Sequence, residues 1–475
     1  MWRRRIAASF LALTVSAGGS VSAQDSPALP ASGDGWPQWR GGPQRSGAAA
    51  NAKVLADLAA GATLNEVWRS EALPSGYGHQ NACVVGQGSP VVCNGKVYLY
   101  VNWPDTNSLQ EGRARIPDRV RDTVICLDLT SGKTQWKTEM PGRSWRWGCS
   151  ATLAVAAGKV VAVGGAGECF CLDATTGKEL WRRNEEAQPS AKYTDLICSL
   201  HSSALIYDGL AVFISGKQSQ RLYACDLEAG AVKWSADIAN QSWSSPVAWR
   251  HGGGWTLVAG RAGYDPSGGK LLWKGLTHGW GTPAVEGEHC AVMGGKGLLI
   301  YRLSGAGPER IAEIQIDNGS GNPAILDGRV YACGAKAAPA ANPTDPENKE
   351  TQDEPVPAGK PAEKAKKPAT IGALICVEAK TGAVVWETTD PEWSPGGGQW
   401  SFTSVTVGSG VVCVLNGNQV RFFTAENGKR LAGPLVADNL KGGTSLAVAG
   451  DYLVTRGTKA VVCYKAQRPS QEKEQ

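Results

Sequence analysis

The chain has 475 residues, among them 60 Gly and 18 Trp against only 6 Phe and 3 Met. Its formal charge of +5 is small for that length and dispersed, and no basic run stands beside aromatic steps, which argues against a nucleic-acid groove. No segment is apolar for long enough to span a bilayer, and the hydrophobic pattern is one of short alternating runs bounded by turn residues, the pattern of an all-β protein.

The first residues, "MWRRRIAASFLALTVSAGGSVSAQ", give a basic start at Arg3, Arg4 and Arg5, an apolar stretch from Ile6 to about Val15, and the small residues Val21 and Ala23 ahead of Gln24. This predicts a cleavable export signal over residues 1–23 and a periplasmic or secreted mature protein. The arginines match a twin-arginine signal only loosely, so the general secretory route is expected. No cysteine follows the cleavage point, and a lipid-anchored N-terminus is not expected.

Further along, one stretch recurs. "CLDLTSGKTQW" ends at Trp136, "CLDATTGKELW" at Trp181, "CDLEAGAVKW" at Trp234, "DPSGGKLLW" at Trp273 and "CVEAKTGAVVW" at Trp386. In each copy an acid (Asp128, Asp173, Asp226, Asp265 or Glu378) stands four before a glycine (Gly132, Gly177, Gly230, Gly269 or Gly382), which stands four before the tryptophan. A strand ending at the acid, a tight turn through the glycine and a second strand carrying the tryptophan satisfy that spacing. "FFTAENGKRLA" is a weaker copy with Gly428 and with Ala432 in the tryptophan position, and "YRLSGAGPERIAEI" is degenerate.

Ahead of each hairpin lies a second recurring element, two apolar strands joined by a turn, from "GSPVVCNGKVYLYV" to "TSLAVAGDYLVTRG". Two strands and a hairpin make a four-stranded antiparallel unit, and eight such units predict an eight-bladed β-propeller. The last unit lacks its final strand, while "ATLNEVWRS", with Trp68, resembles it; the N-terminal segment is therefore expected to close the ring and remove its open edge. A single propeller domain over 24–466 follows. The Pro-, Ala-, Lys- and Glu-rich insertion at about 335–370, and the tail over 467–475, are expected to be disordered.

Thirteen cysteines leave at least one unpaired. Cys126, Cys171 and Cys376 hold one place in the repeat, as a small apolar strand residue does, and free buried thiols are the expectation. Cys169 and Cys171, two apart on a strand, share a face and are badly placed to bond to each other. With no paired C-x-x-C motif, no zinc site is indicated.

These hairpins resemble the tryptophan-docking repeat of the pyrroloquinoline-quinone (PQQ)-like propellers, a family that includes the quinoprotein alcohol dehydrogenases and BamB-like proteins of the outer-membrane barrel-assembly machinery. "WPQWRGGPQRSG", Trp36 to Gly47, resembles the opening of many exported bacterial members. The resemblance implies that Trp68, Trp136, Trp181, Trp234, Trp273 and Trp386 pack between blades, in keeping with a residue that recurs once per unit. It leaves function open between a non-catalytic binding or assembly scaffold in the cell envelope, BamB-like, and an oxidoreductase using PQQ with calcium on alcohols or sugars. The Cys-Cys pair found over the cofactor in many quinoprotein dehydrogenases and a C-x-x-C-H haem site are both missing from the sequence, so the scaffold reading is preferred, with no catalytic residues, metal or cofactor assigned. A monomer with an envelope protein or peptide partner is the expectation.

A ligand would be expected at the mouth of the central channel, where each inner strand begins. His79, Gln80, Arg146, Trp147, His201, Trp243, His278, Trp280, Asn322, Gln399 and Trp400 fall there by repeat phase, a ring of donors and aromatic faces suited to a polar ligand or peptide loop. "GGAGECFCLD" opens no helix and is not a phosphate site.

Overall fold

The computed structural model describes residues 35–73, 88–104, 120–142, 151–183 apart from 166, 202–215, 220–238, 244–251, 254–277, 279, 281–294, 297–316, 321–337, 370–390, 404–416, 419–431, 435–436, 445–457 and 459–468. These form eight four-stranded antiparallel sheets, the blades of a β-propeller. Blades 1 to 8 begin with the inner strands Val91–Cys93, Ala154–Ala156, Leu205–Tyr207, Val247–His251, Ala284–Glu286, Ala324–Leu326, Ser404–Gly408 and Ala447–Ala449. Their outer strands are Thr134–Gly142, Glu179–Arg183, Val232–Asp237, Leu271–Lys274, Gly307–Gln315, Val384–Asp390, Leu435–Val436 and, for blade 8, Thr63–Arg69. The last of these comes from the N-terminal side and pairs antiparallel with Val461–Gln467, which closes the ring as the sequence predicts.

The apolar core is a series of seams between successive blades. Val91, Tyr98 and Val124 of blade 1 meet Leu153, Val160 and Phe170 of blade 2, and Val161 and Cys171 of blade 2 meet Phe213 and Cys225 of blade 3. Sheets buried on both faces make inner strands such as Val91–Cys93 and Leu205–Tyr207 apolar at every position, whereas outer strands such as Thr134–Gly142 alternate. Among the described residues ten cysteines lie in these seams, all buried: Cys93, Cys126, Cys169, Cys171, Cys225, Cys290, Cys333, Cys376, Cys413 and Cys463. Burial raises the thiol of Cys126 to about 11 and those of Cys171 and Cys463 to about 12, which keeps them protonated and inert at neutral pH.

Strand extends into the insertion expected at about 335–370 and into a second one, between the second and third strands of blade 1. In blade 6 the pairing continues to Ala337 opposite Thr370, and in blade 1 to Pro104 opposite Val120. The expected export signal, the remainder of both insertions and residues 469–475 lie outside the described residues. At the expected tail, Gln467 ends a strand and accepts a hydrogen bond from Asn65 at 2.6 Å, and the Arg468 guanidinium meets Asp57 at 2.7 Å. Asp57 sits in the helix Lys53–Ala59, where Lys53 also reaches it, so the end of the described chain is tied to the segment that closes the ring.

Candidate functional site

At the circumference the repeat's acid, glycine and tryptophan act together. The Asp173 carboxylate accepts the backbone N–H groups of Thr175 and Thr176, and the Thr176 hydroxyl and these N–H groups hold its pKa below the usual range. The chain then turns at Gly230 in the next copy with φ of 68°, a left-handed conformation in which a Cβ would also stand 2.6 Å from the Trp181 ring. Trp181 of blade 2 thus lies on the turn of blade 3, and its indole N–H donates to Leu227 O at 3.0 Å. Trp68, Trp136, Trp234 and Trp386 donate in the same way to Leu129, Ala174, Pro266 and Ala425 of the following blade. Trp273 packs beside Gly307 of blade 5. In that degenerate blade Ala312 occupies the tryptophan position and lies under Gly382 of blade 6.

One residue ahead of each tryptophan the outer strand carries a β-bulge, seen where Cys171 pairs with Trp181 and Leu172 with Glu179, leaving Leu180 unpaired. A bulge blunts an edge strand against pairing with another chain. It also turns aliphatic side chains outward. The exposed large hydrophobic residues among those described are Val67, Leu180, Val232, Leu271, Leu272, Val384 and Val385, and every one lies on an outer strand.

Along the axis the problem is different. Each inner strand is the edge of its sheet, and its N–H groups facing the channel need acceptors. A ring of side chains at the start of the inner strands supplies the first set. Ser89 N–H donates to Thr152 Oγ1 at 2.9 Å, Thr152 N–H to Ser203 Oγ at 3.0 Å and Ser203 N–H to Ser245 Oγ at 2.9 Å. The ring continues from Ser245 N–H to Thr282 Oγ1 at 2.9 Å and from Thr282 N–H to Asn322 Oδ1 at 3.0 Å. At its other end Ser445 N–H donates to Ser89 Oγ at 2.7 Å. All of these residues are buried.

Three residues further along the inner strands of blades 1 to 7, the acceptors come from Trp36–Gly47, which runs from blade to blade inside the ring. Val92 N–H donates to Trp36 O, Val155 to Pro37 O, Ala248 to Pro43 O, Val285 to Gln44 O, Ile325 to Ser46 O and Val407 to Gly47 O, at 2.8–3.2 Å. Blade 3 uses a side chain instead: the Gln38 carboxamide accepts Ile206 N–H at 2.9 Å and donates to Ile206 O at 2.8 Å. The segment is therefore a hub that touches blades 1 to 7 in order.

Two arginines of the hub are almost wholly buried, Arg40 at 1 % and Arg45 at 0 % exposure. Arg40 donates to Asn322 O and Val405 O at 3.3 Å each, to Pro323 O, and through Nε to Arg45 O at 3.1 Å. Arg45 donates to Ala204 O at 2.8 Å, Ser203 O at 3.4 Å, Pro246 O at 3.3 Å and Trp39 O at 3.0 Å. Burial lowers both guanidinium groups to about 9, and the charge of Arg40 adds to the effect on Arg45; both remain charged at neutral pH. Five planar donors suit such a site, because one arginine can answer carbonyls from two blades at once. Gly47 is obligatory here: its φ is 68°, and a Cβ would stand 2.5 Å from the Arg40 guanidinium.

Of the residues predicted at the channel mouth, Asn322 is the one described. It is buried in the ring, with its carboxamide between Thr282 and Ser404 rather than free for a ligand. His79, Gln80, Arg146, Trp147, His201, Trp243, His278, Trp280, Gln399 and Trp400 lie outside the described residues. Both the hydroxyl ring and the hub escaped sequence reasoning. The signal for the first was the Ser, Thr or Asn at the head of each inner strand, as in "GSP", "GTP" and "GNP".

The fold is that of an eight-bladed β-propeller, and the comparisons agree. Residues 53–253 match the family model described as outer membrane protein assembly factor BamB. The quinohemoprotein alcohol dehydrogenase from Comamonas testosteroni is similar in structure, with a TM-score of 0.60 and 13 % identity over 92 % of this chain and 82 % of that one. A europium-containing methanol dehydrogenase gives a TM-score of 0.56 and 14 % identity over 90 % of both chains. BamB from Moraxella catarrhalis matches with a TM-score of 0.39 and 13 % identity, over 85 % of this chain and 100 % of that one. At these identities the likeness is one of fold, and no curated protein matches the chain.

Trp36–Gly47 occupies the axis at the level of the inner strands, and its guanidinium groups are spent on carbonyls. Among the described residues, no three of His, Cys, Asp or Glu come together in a way that could hold a metal ion.

Proposed function

We propose that this protein is a non-catalytic binding or assembly scaffold of the cell envelope, BamB-like in its task, holding a protein or peptide partner. The observation that carries the reading is the hub: the central channel, where a propeller would ordinarily take a small ligand, holds the chain's own segment at the level of the inner strands. The outer strands supply contact surface in its place, with exposed aliphatic side chains at Leu180, Leu271, Leu272, Val384 and Val385. The export signal expected over residues 1–23 supports a site of work in the periplasm or outside the cell.

Crosslinking in the native envelope, with photoreactive residues at positions 180, 272 and 385, tests the proposal. One reproducible partner, lost when Leu180, Leu272 and Val385 are changed together to Ser, is the expected result. Recovery of no partner from any of the three positions would overturn it.

A further inference from the structure

Trp36–Gly47 stands apart from the blades in the way it is bonded. Every sheet has its four strands without it, although Trp36 packs in the apolar cluster that joins blades 7, 8 and 1. The hub's internal backbone bonds are few: Gln38 and Gly41 exchange a pair, Arg45 N–H donates to Gly42 O and Gly47 N–H to Arg40 O. Two of its non-glycine residues, Arg40 and Arg45, hold left-handed φ values of 62° and 53°, a conformation that persists only where the surroundings enforce it. What enforces it is the grip of the two guanidinium groups. Arg40 holds blades 6 and 7 through Asn322, Pro323 and Val405, and Arg45 holds blades 3 and 4 through Ser203, Ala204 and Pro246. Every acceptor among the described residues is a backbone carbonyl, so two like charges are buried side by side with no carboxylate partner among those residues. Water would solvate them better, and the backbone strain would relax on release. Against this stand the hydrogen bonds to the inner strands and the burial of Trp36.

We propose that Trp36–Gly47 is a latch that opens and closes the channel as one unit while the blades stay folded, with the side chains of Arg40 and Arg45 as its catch. In the closed state the channel-facing N–H groups of Val92, Val155, Ile206, Ala248, Val285, Ile325 and Val407 are all spent on the hub. Opening frees them together and presents a circle of donors to an extended segment or other acceptor-rich ligand, so the closed hub is an autoinhibitory contact.

Residue-resolved amide hydrogen exchange on the full chain tests this. In the wild-type protein those channel-facing amides are expected to exchange at a common rate, at least about tenfold faster than the mid-blade amides of Val161, Val212 and Val330. Arg40→Lys and Arg45→Lys keep the charge but lose the planar fork, and each is expected to speed the channel-facing group by a further tenfold or so and leave Val161, Val212 and Val330 unchanged. Channel-facing amides as slow as the mid-blade ones would overturn the proposal, as would variants that speed all amides alike. Should a variant fail to fold, the wild-type comparison alone decides.

Discussion

At the circumference one contact is made repeatedly: an indole lies on the glycine turn of the next blade and its N–H reaches a carbonyl there, as Trp181 does at Gly230 and Leu227. Along the axis Trp36–Gly47 meets a different residue at every blade and uses a backbone carbonyl here, a glutamine side chain there and an arginine elsewhere. The outer solution is periodic and each copy serves one seam. The inner solution is aperiodic, and one segment serves seven inner strands at once. A fault in the first should stay local, whereas a fault in the second should be felt around the channel.

The largest effect is expected at the circumference. Trp181→Ala removes a buried indole and its hydrogen bond and should lower stability by about 3–5 kcal/mol in denaturant unfolding, with hydrogen exchange rising at the seam of blades 2 and 3 and little elsewhere. Gly230→Ala, which forces a Cβ onto the same ring from a left-handed φ, should cost about 2 kcal/mol at that seam. If either loss spreads evenly over all eight blades, the local reading of the girdle fails.

Smaller effects are expected inside. Thr152→Val keeps the shape but leaves the buried Ser89 N–H without an acceptor, for a loss of about 1–3 kcal/mol by the same measurement. Asp122 of blade 1 gives a pH signature. Burial pushes its carboxyl up to about 7, against the hydrogen bonds from Tyr100, Gly165 and Asn102 that favour the anion. Its folded pKa is raised above the unfolded one, so the folded state binds the extra proton between about pH 4 and pH 7, and this group's contribution to stability falls as pH rises through that window. Asp122→Asn should flatten the fall; an unchanged pH profile would contradict it. Leu180→Ser, on an exposed bulge, should change stability by no more than about 0.5 kcal/mol while weakening partner capture.

The circumference was legible in the sequence because repetition makes a signal. Five copies of acid, glycine and tryptophan at one spacing specify hairpin, turn and docking residue, and the eight copies of the upstream strand pair give the blades. The ring closure by Thr63–Arg69 could be read from the missing final strand. Blade 5 shows the limit: Ala312 in place of tryptophan leaves too little pattern, yet the strand forms because its neighbours fix the frame. The hub could not be read this way. A segment that meets each blade once has no period, and Arg40 and Arg45 look like ordinary polar loop residues until the channel buries them. Asn322 was placed at the channel mouth by repeat phase, but the phase says nothing about whether a neighbouring N–H already claims its carboxamide.

The account's central claim is that the channel belongs to the protein's own hub and that the chain works as a scaffold. Its most direct test is to incubate the purified full-length protein with PQQ and calcium, pass it through gel filtration, and measure retained quinone absorbance and dye reduction with alcohols and sugars. No retained quinone and no turnover is the expected result; stoichiometric retention with substrate-dependent dye reduction would contradict the claim.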